Sequence, residues 1–334
     1  MKTIALLGNG EVLLKLIEFI KKETSYDMIL IGYAPRHARE LSRENKKYED
    51  VLVDYKERYK QIELIEMENL DCEGWRKICN SSMQISLGSA WIYKKRHIDM
   101  APFLVHSHCT NLPKYRGGAS SSWMLMSKHR KSAITIFRIN ERVDAGDLLV
   151  KNVFYYPEEL ISPAEYSRYT SKKLQECMEQ FILRHESGID DKIARKIQEE
   201  EDSTYFPRLS SSVHSWINWT WDADEIVSFI RAFSEPYKGA MTRITAKQEI
   251  IMNIYKAEVI EEEEKFHPFK TGLIYRKIGK KLYVACREKT IKIQGYELSN
   301  DSGKGDKPFV GDRLYTLTDD IDCSMRTRVF YTPS

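Results

Sequence analysis

Residues 3–7, TIALL, form an apolar run that stops at Gly8-Asn9-Gly10 and gives way at once to a stretch with helical period. Val12, Leu13, Leu16, Ile17 and Ile20 recur every three or four residues, so residues 11–22 predict an amphipathic helix with one apolar stripe. A second apolar run, residues 27–33, predicts the next strand. Strand, short glycine turn, helix and strand leave few ways to fold. The two strands lie parallel in one sheet, and the helix crosses over its face. The chain therefore opens as an α/β fold, an open Rossmann-like, mostly parallel sheet with helices on both faces.

A glycine turn after a first strand invites a dinucleotide-binding reading, but the residues do not support it. The fingerprint needs a third glycine where Leu13 stands, and an acidic residue after the second strand, which ends Gly32-Tyr33-Ala34-Pro35. Further along, residues 63–67 predict a strand, 72–80 a helix and 83–87 a buried strand. Residues 120–128 predict a helix, 132–138 and 148–154 strands, and Pro163 begins a long helix to about residue 186. Residues 36–60 interleave charges of both signs and read as a solvated helix and loop.

Composition bounds the rest. A chain of 334 residues, 42% hydrophobic and 30% charged, buries a core and is long enough for two domains. We expect a catalytic domain over residues 1–187, a polar linker over 188–214 and a second domain over 215–334. In that second part the short alternating runs MTRI, EIIMNIY, KTGLIYRKI, KLYVACR and TIKIQGYEL predict a small, OB-like β-barrel. A formal net charge of +3, from 52 basic and 49 acidic residues, gives no whole-protein field of the kind that marks a dedicated nucleic-acid binder. Six cysteines without a CxxC pair read as reduced thiols in a cytoplasmic protein. The N-terminal run ends in glycines without a small-residue cleavage site, so it reads as a buried strand and not as a leader. No apolar stretch approaches a membrane-spanning length.

The chemistry concentrates in residues 104–118, LVHSHCTNLPKYRGG. If the run ending at His108 is a strand, His106 and His108 face the same way. One carboxylate beside an imidazole fixes its tautomer and raises its basicity, and Asp144, in the turn Asn140-Glu141-Arg142-Val143-Asp144-Ala145-Gly146-Asp147, is the candidate. A plainer reading stands beside this one. A histidine at a strand end is an ordinary polar residue, and an aspartate before Ala-Gly is an ordinary turn former. Gly88 and residues 89–93, a small-residue strand end followed by aromatics, offer a pocket wall where ligands bind in open α/β sheets.

His108-Cys109-Thr110-Asn111-Leu112-Pro113-Lys114-Tyr115-Arg116-Gly117, followed by Asp144-Ala145-Gly146-Asp147-Leu148, resembles the signature of the folate-dependent formyltransferases. That family includes methionyl-tRNA, glycinamide ribonucleotide and nucleotide-sugar N-formyltransferases. The resemblance continues through Ser203-Thr204-Tyr205-Phe206-Pro207-Arg208, Ile217-Asn218-Trp219, Ile230-Arg231-Ala232-Phe233 and Lys281-Leu282-Tyr283-Val284-Ala285-Cys286, and so covers nearly the whole chain. It implies 10-formyltetrahydrofolate as formyl donor, His108 as catalytic imidazole and Asp144 as the carboxylate that tunes it. It places the pterin against Gly88, Ala90, Trp91, Ile92 and Tyr93 and the backbone around Arg142, Val143 and Asp144.

One departure matters. The family carries an asparagine where this chain has His106. Three readings are open: His106 replaces that amide as donor to the developing oxyanion, it stands aside while His108 and Asp144 carry a slower reaction, or the activity is lost or altered. Thr110, for the family's serine, keeps the hydroxyl.

Residues 36–47 are basic but lack glycine and hold two glutamates, unlike the Gly- and basic-rich insertion of the methionyl-tRNA enzymes. With the near-neutral charge, this favours a nucleotide-linked amino sugar as acceptor, as in surface polysaccharide biosynthesis, over aminoacyl-tRNA, which demands an extended basic surface. Lys114, Tyr115, Arg116, Gly117 and Trp123 are the expected acceptor contacts, with no nucleic acid or membrane partner and a homodimer permitted by the second domain. A different class of site, a metal held by His106, His108 and Asp144, is set aside at this level because the motif around it is of the folate type, so no metal is expected.

Overall fold

The computed structural model describes residues 2–34, 42–43, 46–88, 91–188, 196–245, 247–299 and 307–329. Seven strands form the first sheet: β1 Thr3–Gly8, β2 Met28–Tyr33, β3 Ile62–Glu66, β4 Met83–Leu87, β5 Leu104–His108, β6 Lys131–Arg138 and β7 Leu148–Tyr155. Their order across the sheet is β7-β6-β5-β4-β1-β2-β3. The five strands from β5 to β3 run parallel, and β6 and β7 are antiparallel additions at one edge.

Period-two alternation in β1 sends Ile4 and Leu6 to one face and Ala5 and Leu7 to the other, and all four are fully buried. On the first face they meet Leu13, Leu16, Ile17 and Ile20 of helix Glu11–Glu23 and Met178, Phe181 and Ile182 of helix Pro163–Glu186. On the second they meet Trp75 and Ile78 of helix Glu73–Cys79. Each such side chain contributes roughly 1.5–3 kcal/mol by leaving water. Packing of this kind, more than helix propensity, holds the crossovers on the sheet. The long helix begins with a reciprocal cap, in which the Ser162 hydroxyl accepts from the Glu165 N–H and the Glu165 carboxylate accepts from the Ser162 N–H.

The second sheet has six strands, β8 Ala240–Ile244, β9 Lys247–Ile260, β10 Ile274–Ile278, β11 Lys281–Ala285, β12 Thr290–Leu298 and β13 Leu314–Tyr315, in the order β10-β11-β12-β9-β8-β13. Register shifts in β8, β9 and β10 bend it. Its two edges meet where Leu273 bridges Arg313 and the Leu314 N–H donates to the Gly272 carbonyl, so the sheet curls nearly shut into the expected barrel. Helix Ala223–Ala232 fills its mouth with Ile226, Val227 and Ile230.

Three findings were not anticipated. Helix Thr318–Arg326 is polar enough to escape a periodicity reading. The helix expected in the charge-dense stretch, Tyr48–Arg58, is not simply solvated but buries Val51, Leu52 and Tyr55 in the core, and residues 35–41 and 44–45 lie outside the described residues. Residues 196–208, read as spacer, are built into the first sheet's upper end: Lys196 pairs with Leu148, and Tyr205–Phe206 forms a parallel pair with Arg116–Gly117.

Candidate active site

The chain passes from β1 through β2 to β3 on one side of the sheet and returns to β4 and β5 on the other, which opens a crevice above the carboxyl ends of β1 and β4. His106 lies in β5 between Ser86 of β4 and Phe137 of β6, and His108 is two residues on, opposite Thr135. Both histidines are half-buried and Ser107 is turned to the other face, as strand alternation requires. Asp144 arrives from the turn after β6 with φ of 54°, a left-handed conformation that aspartate tolerates. Asn140 shapes that turn, accepting from the Arg142 N–H at 3.0 Å and donating to the Ala145 carbonyl at 3.1 Å.

The three side chains converge. Ligating atoms of His106, His108 and Asp144 all lie within 4.8 Å of one another, and His108 Nδ1 is 3.9 Å from Asp144 Oδ1. Each ring has its other nitrogen engaged: His106 Nδ1 with Ser86 Oγ at 3.0 Å, and His108 Nε2 with the Tyr115 carbonyl at 3.2 Å. A carbonyl only accepts, so neutral His108 carries its proton on Nε2 and turns the Nδ1 lone pair toward the carboxylate. The other carboxylate oxygen, Oδ2, accepts from the Gly117 N–H at 3.1 Å.

A cavity of about 180 Å³ opens beside them, lined by Ser86, Trp91, Ile92, Tyr93, His106, Phe137 and residues 139–144. Of the donor contacts expected from sequence, Trp91, Ile92, Tyr93, Arg142 and Val143 line this cavity. Gly88, with φ of 62°, turns the chain beside Asn9 and stands outside the lining. Ala90 lies outside the described residues. Behind the wall, Tyr93 rests against Trp75, their rings 5.7 Å apart. Arg96 and His97 hold the Asp71 carboxyl well below the usual range, and the His97 ring packs edge-on to Trp75.

The expected acceptor contacts sit differently. None of Lys114, Tyr115, Arg116, Gly117 and Trp123 lines the cavity beside His106. The Arg116 side chain is buried, and its guanidinium donates to Glu200 at 2.9 Å and Gln198 at 3.2 Å. Tyr115 stacks on Phe206, with ring centroids 4.9 Å apart. Trp123 donates its indole N–H to the Pro207 carbonyl and lines a second cavity of about 490 Å³ with Trp216, Trp221 and Met325. Lys114 alone of the five is an exposed side chain. Sequence reasoning missed Gln198, whose amide donates to the Asp144 and Gly146 carbonyls at 3.0 and 2.7 Å, and Glu200, which pairs with both Arg116 and Arg142. Their signal was the polar run before Ser203, which read as linker.

Burial holds the His106 imidazole down to about 4, with the Asp144 carboxylate pulling the other way and His108 adding to the burial effect. At neutral pH it is therefore uncharged. Its ordinary value is 6.5, so on acidification the unfolded chain takes up this proton first. The His106 contribution to stability is whole above pH 6.5 and is lost progressively as pH falls toward 4. We expect His106→Asn to flatten that part of the stability curve in denaturation at pH 7.5, 6 and 5; equal slopes in parent and variant would refute it.

A mixed sheet with two antiparallel strands added at one edge, followed by a curled β-domain, is a fold shared with solved formyltransferases. The chain matches the formyl transferase C-terminal domain over residues 211–304. It is 27% identical over 215 residues to the methionyl-tRNA formyltransferase of Agathobacter rectalis, a match that covers 64% of each chain and so just under two thirds of that relative's length. In structure it is similar to WlaRD, a sugar 3N-formyl transferase solved with dTDP and 5-N-formyl-THF, with a TM-score of 0.66, 18% identity and coverage of 88% of this chain and 97% of the other. An N-formyltransferase from Helicobacter canadensis, solved with folinic acid and dTDP-3-aminofucose, gives a TM-score of 0.65 at 16% identity, with 88% and 99% covered.

Proposed function

We propose that this chain takes the formyl group of 10-formyltetrahydrofolate and passes it to the primary amine of a nucleotide-linked amino sugar. The observation that carries the reading is the convergence of His106, His108 and Asp144 beside one cavity, which His106 and Asp144 line together with Trp91, Tyr93, Phe137 and residues 139–143. A cavity of about 180 Å³ suits a flat bicyclic ring and leaves a longer tail across the mouth. Trp91, Phe137 and Ile139 supply its apolar surface. When bound, the donor supplies an activated formyl carbon.

The residues divide the remaining work. With Nδ1 engaged by Ser86, His106 offers Nε2; if the Ser86 hydroxyl donates to Nδ1, then Nε2–H is a neutral donor for the oxygen on which negative charge develops. His108 Nδ1 bears a lone pair, takes the proton released by the attacking amine and gives it to the donor nitrogen, which leaves as tetrahydrofolate when its bond to the formyl carbon breaks. Asp144 Oδ1, 3.9 Å away, stabilises the resulting imidazolium, and the Gly117 N–H on Oδ2 keeps the carboxylate in place.

The acceptor choice is supported by the near-neutral charge and by structural neighbours solved with dTDP or a dTDP-sugar. The sequence relative from Agathobacter rectalis favours a second acceptor, aminoacyl-tRNA. No described helix is long and apolar enough to cross a membrane, which suits a cytoplasmic reaction between diffusible substrates. Incubation with 10-formyltetrahydrofolate and either a panel of nucleotide-linked amino sugars or charged initiator tRNA separates the two. A mass gain of one formyl group is expected on an amino sugar. Formylation of the tRNA alone would overturn the acceptor, and no transfer to any amine would overturn the reading as a whole.

A further inference from the structure

His108 Nδ1 and Asp144 Oδ1 face each other at 3.9 Å, and with Nε2 committed to the Tyr115 carbonyl both are electron-pair donors. Two such atoms turned toward one point ask for a cation between them. His106 brings a third donor, since Ser86 occupies its Nδ1 and leaves Nε2, and all three ligating atoms fall within 4.8 Å.

We propose that His106 Nε2, His108 Nδ1 and Asp144 Oδ1 form a binding site for a divalent cation of the zinc class, with the remaining coordination position open to the cavity. A tetrahedral ion with bonds of about 2.0–2.1 Å spans ligand atoms about 3.3 Å apart, so modest side-chain rotation closes the set. Two imidazoles and one carboxylate, without thiolate, suit zinc, cobalt or ferrous iron better than calcium or magnesium.

The surroundings support the assignment independently of the ligand atoms. Metal-binding histidines characteristically donate their second ring N–H to a carbonyl or hydroxyl. Both partners are in place here, the Tyr115 carbonyl for His108 and the Ser86 hydroxyl for His106. The third ligand is likewise anchored, because the Gly117 N–H holds Asp144 Oδ2 and leaves Oδ1 for the ion. The set is half-buried and borders a cavity, so an ion has a path in and room for a water or anion beside it.

Ser86 also sets the relation to formyl transfer. The metal needs a proton on His106 Nδ1, whereas the oxyanion donor needs one on Nε2. An occupied site therefore has neither the donor nor the free base, and cation and formyl transfer exclude each other. That last consequence rests on the proposed function; cation binding itself does not.

Cobalt(II) is the probe for the full-length protein, read by equilibrium dialysis and by visible absorption. We expect one ion per chain with the intense bands of a four- or five-coordinate site. His106→Asn and, separately, Asp144→Asn should each weaken binding at least tenfold and abolish those bands, while circular dichroism shows folded protein. Binding and bands that survive both substitutions would place the ion elsewhere, and no binding at millimolar cobalt would overturn the site outright. A folate titration run in parallel keeps the two ideas separable, since failure to bind cobalt leaves the donor site standing.

Discussion

His108→Ala is expected to lower kcat/KM for formyl transfer by about 10²–10⁴-fold, the usual worth of a positioned general base. The loss should fall on kcat and leave donor affinity largely unchanged, because His108 is absent from the cavity lining that would hold the donor ring. Steady-state kinetics at saturating and limiting donor separate the two parameters. Asp144→Asn keeps a group that can accept from the Gly117 N–H but removes the charge opposite Nδ1, so it should lower kcat through the lost stabilisation of the imidazolium while leaving donor affinity largely unchanged. His106 is tested alongside. If His106→Ala transfers formyl as fast as the parent, the oxyanion-donor role is wrong and His108 and Asp144 act without it.

The second large effect is structural. Gly117 has φ of 100°, and a Cβ added there would lie 2.2 Å from the Phe206 carbonyl oxygen, a backbone atom that cannot swing away. Gly117→Ala must therefore push residues 204–206 off the turn. That breaks the Arg116 N–H bond to the Thr204 carbonyl and the Gly118 N–H bond to the Phe206 carbonyl, and moves the N–H that holds Asp144. We expect a loss of at least about 2–3 kcal/mol in denaturant unfolding together with a fall in turnover. Gly10→Ala is the control. Its φ of 111° also lies where L side chains are strained, but nothing lies within 4 Å, so only the backbone cost, about 1–3 kcal/mol, should appear. Equal losses at the two glycines would show that the contact with Phe206 does not matter.

The contrast between these glycines bears on what could be read from the chain. Local patterns found the sheet: residues 83–87 and the helix from Pro163 fall where apolar runs and the S-P-A-E start place them, because packing one face of a regular element leaves a period in the sequence. Alternation also put His106 and His108 on one face. Proximity of Asp144 was a matter of resemblance, since no local rule brings a turn after β6 to the end of β5. What stayed hidden was contact between distant polar residues. Gln198 and Glu200 lie in a stretch whose composition reads as linker, yet Gln198 holds the carbonyls on either side of Ala145. Arg116 was read as an acceptor contact because sequence gives charge and not partners, whereas in the fold it donates to Glu200 and Gln198. Polar networks have no period, so they become visible only when the chain is folded.

The claim on which the rest depends is that the cavity beside His106 receives the folate ring. Trp91 forms part of its wall, so titration with 5-formyltetrahydrofolate, a donor analogue, followed by tryptophan emission reports directly on that space. Saturable quenching is expected in the parent, and most of it should disappear in Trp91→Phe while calorimetry still detects binding. Quenching of equal size in both proteins, or no binding of the analogue at all, would contradict the assignment.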